Sequence, residues 1–304
     1  MADRDGRNFR SFYYDTLGLK NVEQKKALEI LLKDEEIDVD RVATFSCKFS
    51  LPAVFRPHVW KILLGILSPY QAAHSYMTQQ RTEQFHDLKK ALIVINQIDS
   101  QNADLGELIT KMYLMQEGGY RVNTVSEELK TQVRILHAVV NVFADMFEDE
   151  VDLYWLSIKF VQIQKQFINQ WETLLKIIEH YIQTEDNSLW RHLQSLNAFE
   201  HLPYKRWFES SFSEDLPDSC MERIWDKVVA GSSRILGIVG VALLIVYRHQ
   251  LLSIKESQAF LQVFNKPCPE NACVIVASKA MELWDKHGST INSEPLQVKP
   301  TQGS

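Results

Sequence analysis

The chain has 304 residues, 45% of them hydrophobic, with 33 Lys and Arg against 39 Asp and Glu for a formal net charge of −6. That is enough apolar material for a sizeable core, and no basic block of the kind that tracks phosphates appears, so nucleic acid is not expected as a partner. Four sparse cysteines (Cys47, Cys220, Cys268 and Cys273) and a polar start without an apolar signal run point to a reducing, cytoplasmic setting.

Residues 1–20 read as a polar leader, after which Asn21-Val-Glu-Gln24 resembles a helix cap. Leu28, Ile30, Leu31 and Leu32 make the following segment amphipathic, and Asp38 is placed to cap another short helix. Leu51-Pro52 breaks the chain. Arg56-Pro57 then opens a helix with proline in its first turn, which carries Val59, Trp60, Leu63, Leu64 and Leu67 inward before Ser68-Pro69 stops it. Residues 71–98 read as one long helix with Phe85, Leu88, Leu92 and Ile95 along one side.

A polar break at 100–103 precedes Asp104-Leu-Gly-Glu107, the start of a short helix with Leu105, Leu108, Ile109, Met112 and Met115 on a single stripe, ended by Gly118-Gly119. Residues 120–127 read as loop. Residues 129–147 are helical again with Val133, Leu136, Val140 and Phe143 inward, and Glu148-Asp-Glu150 closes that helix or caps the next. Beyond Val151 aromatic residues recur at helical intervals, and no run alternates long enough to suggest a sheet.

Within 220–252, Met221, Ile224, Trp225 and Val228 fall at helical spacing, Gly231-Ser-Ser233 supplies a stop, and residues 235–247 are apolar on every side. A helix of that kind is buried or in a membrane. This run is shorter than the roughly 18 residues that suggest a span, and Gly237 and Gly240 allow close helix approach, so a buried central helix is expected. Helices over 257–264 and 272–287, joined through the Pro267-Cys-Pro269 turn, close the domain, and 289–304 read as a disordered tail. The fold class is all-α, with lobes at 21–150 and 151–288.

Phe55-Arg-Pro-His-Val-Trp-Lys-Ile-Leu-Leu-Gly65 and Arg223-Ile-Trp-Asp226, with Arg206-Trp-Phe208 and 212–217 between them, resemble the TBC domain of Rab GTPase-activating proteins. In that family such residues are mainly scaffold, so the resemblance gives Arg56, Trp60, Trp207, Trp225 and Asp226 a structural role. It also implies two catalytic fingers in an active member. An Arg offsets charge on the transferred phosphoryl group, an effect of about 10³ to 10⁵ in rate, and a Gln orients the attacking water.

Here the Arg motif reads Ile95-Asn-Gln-Ile-Asp99-Ser-Gln-Asn102, with Asn102 at the Arg position. Gln132 has neither the Tyr before it nor the Gly after it that the Gln motif requires. A non-enzyme is therefore expected, the alternative being an active Rab GTPase-activating protein with a finger displaced to Arg134 or Arg121. A TBC fold that binds a GTPase without stimulating it is a third reading.

A narrower resemblance, carried by Arg7-Asn-Phe-Arg-Ser11, residues 28–34, Arg223-Ile-Trp-Asp-Lys-Val-Val229 and Ala277-Ser-Lys-Ala280, is to the branch of the family that serves as a non-catalytic subunit of the tuberous sclerosis complex. It implies hamartin's coiled coil as partner, tuberin through it as the carrier of activity toward Rheb, and recruitment to lysosomal or vesicle membranes through those partners. The stripe of Leu105, Leu108, Ile109, Met112 and Met115 is the expected contact, since one apolar, Met-rich face suits another helix. No cofactor is implied, and Cys268 with Cys273 lacks a second ligand pair for zinc.

Overall fold

The computed structural model describes residues 20–98, 104–117 and 127–288, which form fifteen α-helices and, among the described residues, no strand. The helices are α1 (Lys20–Leu31), α2 (Val39–Lys48), α3 (Arg56–Leu63), α4 (His74–Val94), α5 (Leu105–Gln116), α6 (Glu127–Ala144), α7 (Glu150–Gln166) and α8 (Trp171–Glu185). There follow α9 (Asn187–Ser195), α10 (Tyr204–Glu209), α11 (Met221–Val229), α12 (Arg234–Val246), α13 (Arg248–Leu252), α14 (Ala259–Val263) and α15 (Glu270–His287). The all-α expectation holds. The expected leader and tail lie outside the described residues.

Short acidic side chains start several of these helices, as their sequence positions imply. Asp38 accepts from the amide of Arg41 at 3.0 Å, Asp104 from Glu107 at 3.0 Å, and Asp149 from Asp152 at 2.8 Å. Each satisfies a backbone donor left free in a first turn. Pro57 sits in the first turn of α3, where its missing N–H costs nothing. Lys20 is already helical, so Asn21 lies inside α1 and does not cap it. The expected 71–98 helix ends at Val94, because Asn96 adopts a left-handed φ of 54° that stops helical hydrogen bonding, and its first three residues form a 3₁₀ turn.

α12 occupies the middle of the molecule. Residues 235–244 are all buried, and the helix packs between α8 and α15. Gly231 turns the chain into it with φ of 93°. The expected close approach is real: a Cβ on Gly237 would stand 2.8 Å from Ile177 Cγ2, and one on Gly240 would stand 2.6 Å from Ile178 Cδ1. Glycine here lets α12 and α8 pack with almost no intervening side chain. Among the described residues no helix is long and apolar enough to cross a membrane.

Buried side chains from both expected lobes, from Leu28 to Trp284, belong to one contiguous cluster. Its aromatic heart is Trp225, whose ring centroid lies 4.9 Å from Phe143 and 4.2 Å from Phe160, with Trp60 a further 5.7 Å from Phe143. Trp207 forms a second group with Phe212 and Phe264 at 5.6 and 5.1 Å. Cys220 and Cys273 are joined as a disulfide, while Cys47 and Cys268 are buried thiols. Sequence spacing groups Cys268 with Cys273; the fold instead brings the start of α15 against the start of α11, 53 residues earlier.

Replacing Gly240 or Gly237 by Val should lower stability by about 1–3 kcal/mol, the cost of overpacking a close helix contact. Urea unfolding of each variant measures it. An unchanged midpoint would show that α8 and α12 can separate freely.

Candidate functional site

The residues that carry the family resemblance converge on one buried carboxylate. Asp226 has no exposed surface, and four donors surround it. Its Oδ1 accepts from Arg56 Nε and Trp60 Nε1, each at 3.0 Å. Its Oδ2 accepts from the Leu51 amide at 3.1 Å and from an Arg56 terminal nitrogen at 3.4 Å. The guanidinium is completed by Glu222 at 2.8 Å and the Leu51 carbonyl at 2.9 Å. Burial pushes the Asp226 carboxyl above its ordinary range, while Arg56 and the Leu51 amide draw it back. Because all four neighbours donate, a protonated acid would have no acceptor here, and the ionised form is the one this site holds.

The residues flanking Asp226 extend the same joint. Trp225 Nε1 donates to the Ser211 carbonyl at 3.1 Å. Lys227 Nζ donates to the carbonyls of Ser46 and Phe49, each at 2.7 Å, closing the C-terminal end of α2. Trp284 of α15 donates to the Cys47 carbonyl at 2.8 Å. The five residues read from the sequence as structural are all internal, and Arg56 and Trp60 both bond to Asp226. Trp207 stands apart in its own aromatic group.

The finger positions lie elsewhere. Asp99 and Asn102 fall outside the described residues, as does Arg121. Gln132, on α6, is engaged within the chain: its Oε1 accepts from the Tyr113 hydroxyl at 3.0 Å and from Lys165 Nζ at 3.2 Å, and its amide nitrogen donates to Glu128 at 3.4 Å. Arg134 is ion-paired to Glu214 and, at 3.6 Å, to Glu209. It borders a cavity of about 670 Å³ that His137, Asn141, Ser213 and Asp218 also line. Burial, then a hydrogen bond and repulsion from Asp145, push the Asp218 carboxyl up to about 6. Among the described residues no group of three or more His, Cys, Asp or Glu is arranged to hold a metal ion.

The α5 stripe requires a correction. Leu108, Ile109 and Met112 are 2%, 0% and 0% exposed, packed in the chain's own core, so in this fold they offer no surface to a partner. α5 lies between α4 and α6 and turns its apolar face to both. Leu105 and Met115 remain half-buried at its edges. The apolar residues exposed nearby, which the helical pattern did not mark as surface, are Ile93, Val94 and Ile95 at the end of α4, at 36%, 72% and 45%. Lys111 of α5 holds that end by donating to the Gln97 carbonyl at 2.6 Å.

Comparison with known proteins agrees with this architecture. Residues 134–252 match the model of the RabGAP-TBC family, the Rab-GTPase-TBC domain. The fold is found again in the Ypt/Rab-GAP domain of Gyp1p (TM-score 0.54, 17% identity, covering 87% of this chain and 98% of that one). It recurs in the Chlamydomonas flagellar RabGAP TBC domain (TM-score 0.55, 15% identity, covering 92% and 96%). The chain belongs to the TBC-domain family. It is 36% identical over 291 residues to TBC1 domain family member 7 of Homo sapiens, spanning 95% of this chain and 98% of that protein. The same protein of Xenopus tropicalis is 37% identical over 288 residues, 94% and 97% of the two chains.

Two outcomes test this geometry. Asp226→Ala should cost about 3–5 kcal/mol by leaving Arg56 buried without its carboxylate, and Arg56→Ala should cost about as much. Adding the second change should then cost far less than the sum, a coupling that additive denaturation energies would disprove. Separately, folded Asp218 keeps its proton up to about pH 6, whereas an unfolded aspartate releases it near ~3.9. The folded state binds more protons in that window, so this group's stabilisation is complete below ~4 and is lost as pH rises through about 6. Asp218→Asn should flatten that part of the profile of Tm against pH; an unaltered slope would assign it to other groups.

Proposed function

We propose that the chain is a non-catalytic TBC-domain subunit that binds the coiled coil of hamartin. Through hamartin it joins tuberin, stabilises the tuberous sclerosis complex and supports that complex's GTPase-activating action on Rheb, which restrains target-of-rapamycin signalling. The observation that supports the non-catalytic part of this reading is the state of Gln132. A water-orienting amide must be free to face a bound nucleotide, whereas this one is held by Tyr113, Lys165 and Glu128. Asn102 at the Arg position adds to it, since a neutral amide cannot neutralise a transferred phosphoryl group. The choice of complex is what the sequence resemblance implies, and the likeness to TBC1 domain family member 7 over 95% of the chain supports that branch of the family.

With Leu108, Ile109 and Met112 committed to the core, the contact for a partner helix passes to the neighbouring edge. Val94 and Ile95, exposed at the end of α4, offer an apolar edge suited to an amphipathic helix, and Leu105 and Met115 are the only residues of the α5 stripe left half-buried. The membrane association of such a complex comes through its partners on this reading.

The rival reading, an active Rab GTPase-activating protein, takes Arg121 or Arg134 as its finger, and Arg134 would have to leave Glu209 and Glu214 to reach a nucleotide. On the proposed reading a panel of Rab proteins should show no faster GTP hydrolysis with stoichiometric chain; acceleration that disappears in Arg134→Ala or Arg121→Ala would establish the rival. In pulldowns with purified hamartin coiled coil, Val94→Glu with Ile95→Glu should abolish capture while helical circular dichroism is retained. Leu108→Glu with Met112→Glu should instead unfold the chain. Full capture by the Val94/Ile95 variant would move the contact elsewhere.

A further inference from the structure

A cavity of about 780 Å³ opens over the Arg56–Asp226 joint, between the 49–53 connection, α11 and α15. Its lining holds four cations, Lys48, Arg56, Arg223 and Lys227, and two carboxylates, Glu222 and Asp285, in a chain whose net charge is −6. Their pairing is uneven. Arg56 is taken up by Asp226 and Glu222. Among the described residues the exposed side chains of Lys48 and Arg223 meet no hydrogen-bond or ion-pair partner, and neither does that of Asp285, whose carboxylate acts on Lys227 through space.

Lys227 contributes a donor from within. It is 2% exposed, and two of the three N–H groups on its ammonium go to the Ser46 and Phe49 carbonyls. The third has no acceptor among the described residues. Ser50 and Ala53, which also line the cavity, have backbone N–H groups outside any helix and without partners among the described residues. Unused donors of this number and kind exceed what the two oxygens of a carboxylate would occupy. They match the three oxygens and nearly double charge of a phosphomonoester, which a guanidinium fork and ammonium groups recognise well.

We infer that this cavity binds a phosphomonoester, with Arg223 and Lys48 closing on it from two sides and Lys227 donating from the floor. The group has two possible sources, a free phosphate ligand and a lipid headgroup. The second is compatible with Phe49 and Val54, apolar residues 39% and 80% exposed in the connection beside the cavity. The site lies away from Gln132 and the α4–α5 edge, and the inference stands whether or not the proposed complex is correct.

The test uses the full chain and a double variant, Lys48→Gln with Arg223→Gln, both changes being at exposed positions that leave Lys227 and Arg56 in place. Thermal unfolding is followed in inorganic phosphate against chloride of equal ionic strength. Cosedimentation is measured with phosphatidylcholine vesicles with and without phosphatidylinositol 4-phosphate. Binding should weaken by about tenfold for each charge-assisted hydrogen bond removed. A response to phosphate that the double variant loses identifies a free ligand; a response only to phosphoinositide vesicles, likewise lost, identifies a headgroup. No response from either source, or a double variant that responds as the wild type does, overturns the inference.

Discussion

A single buried carboxylate joins the two ends of this fold. Asp226 receives donors from the 51–56 connection and from α3, some 166 to 175 residues away in sequence. Desolvating a carboxylate and a guanidinium costs several kcal/mol per ion, and only a fully hydrogen-bonded arrangement repays it. That requirement makes the joint selective. Trp225, Asp226 and Lys227 are consecutive, and each makes a bond to a different distant segment: the Ser211 carbonyl, the start of α3, and the end of α2. A shift of α11 by one residue would break all three at once, leaving a buried carboxylate and a buried ammonium unpaired.

The apolar side of the same helix explains why this joint sits where it does. Ile224, Trp225 and Val228 face Phe143, Phe160 and the core around α12, and the polar positions between them face α2 and α3. α11 thus separates the central helix from the N-terminal segment and is bonded to both. By contrast, the α4–α6 region that would hold catalytic fingers is tied by exposed or half-buried polar contacts such as Lys111 to Gln97 and Tyr113 to Gln132. On the proposed reading these contacts belong to a surface that has given up chemistry. The constraints of the scaffold lie at the opposite functional pole of the domain.

Periodicity and capping made much of the fold legible. The all-round apolar run at 235–247 implied a buried helix, and Gly237 with Gly240 implied the tight approach that α8 makes. Asp38 and Asp104 marked helix starts because a short acceptor there satisfies free amides whatever the tertiary context, while the 148–150 cluster left open whether it closes one helix or caps the next, and Asp149 does the latter. What stayed hidden was long-range. Arg56 and Asp226 were both recognisable as scaffold residues, but nothing local shows that they are each other's partners across 170 residues. The Cys220–Cys273 pairing was concealed for the same reason.

The α5 stripe failed for a different reason, which bears on how such helices are read. A row of apolar side chains at helical spacing states that one face is removed from water; it does not state what removes it. In α5 the covering surfaces are α4, α6 and α7 of the same chain. The discriminating signal was the length of the flanking helices: α4 and α6, of 21 and 18 residues, can bury a 12-residue helix between them along its full length. A partner can then reach only residues at the margins, where Ile93 and Val94 in the last turn of α4 and Ile95 just after it are exposed. The surface left for association is thus defined by where internal packing runs out.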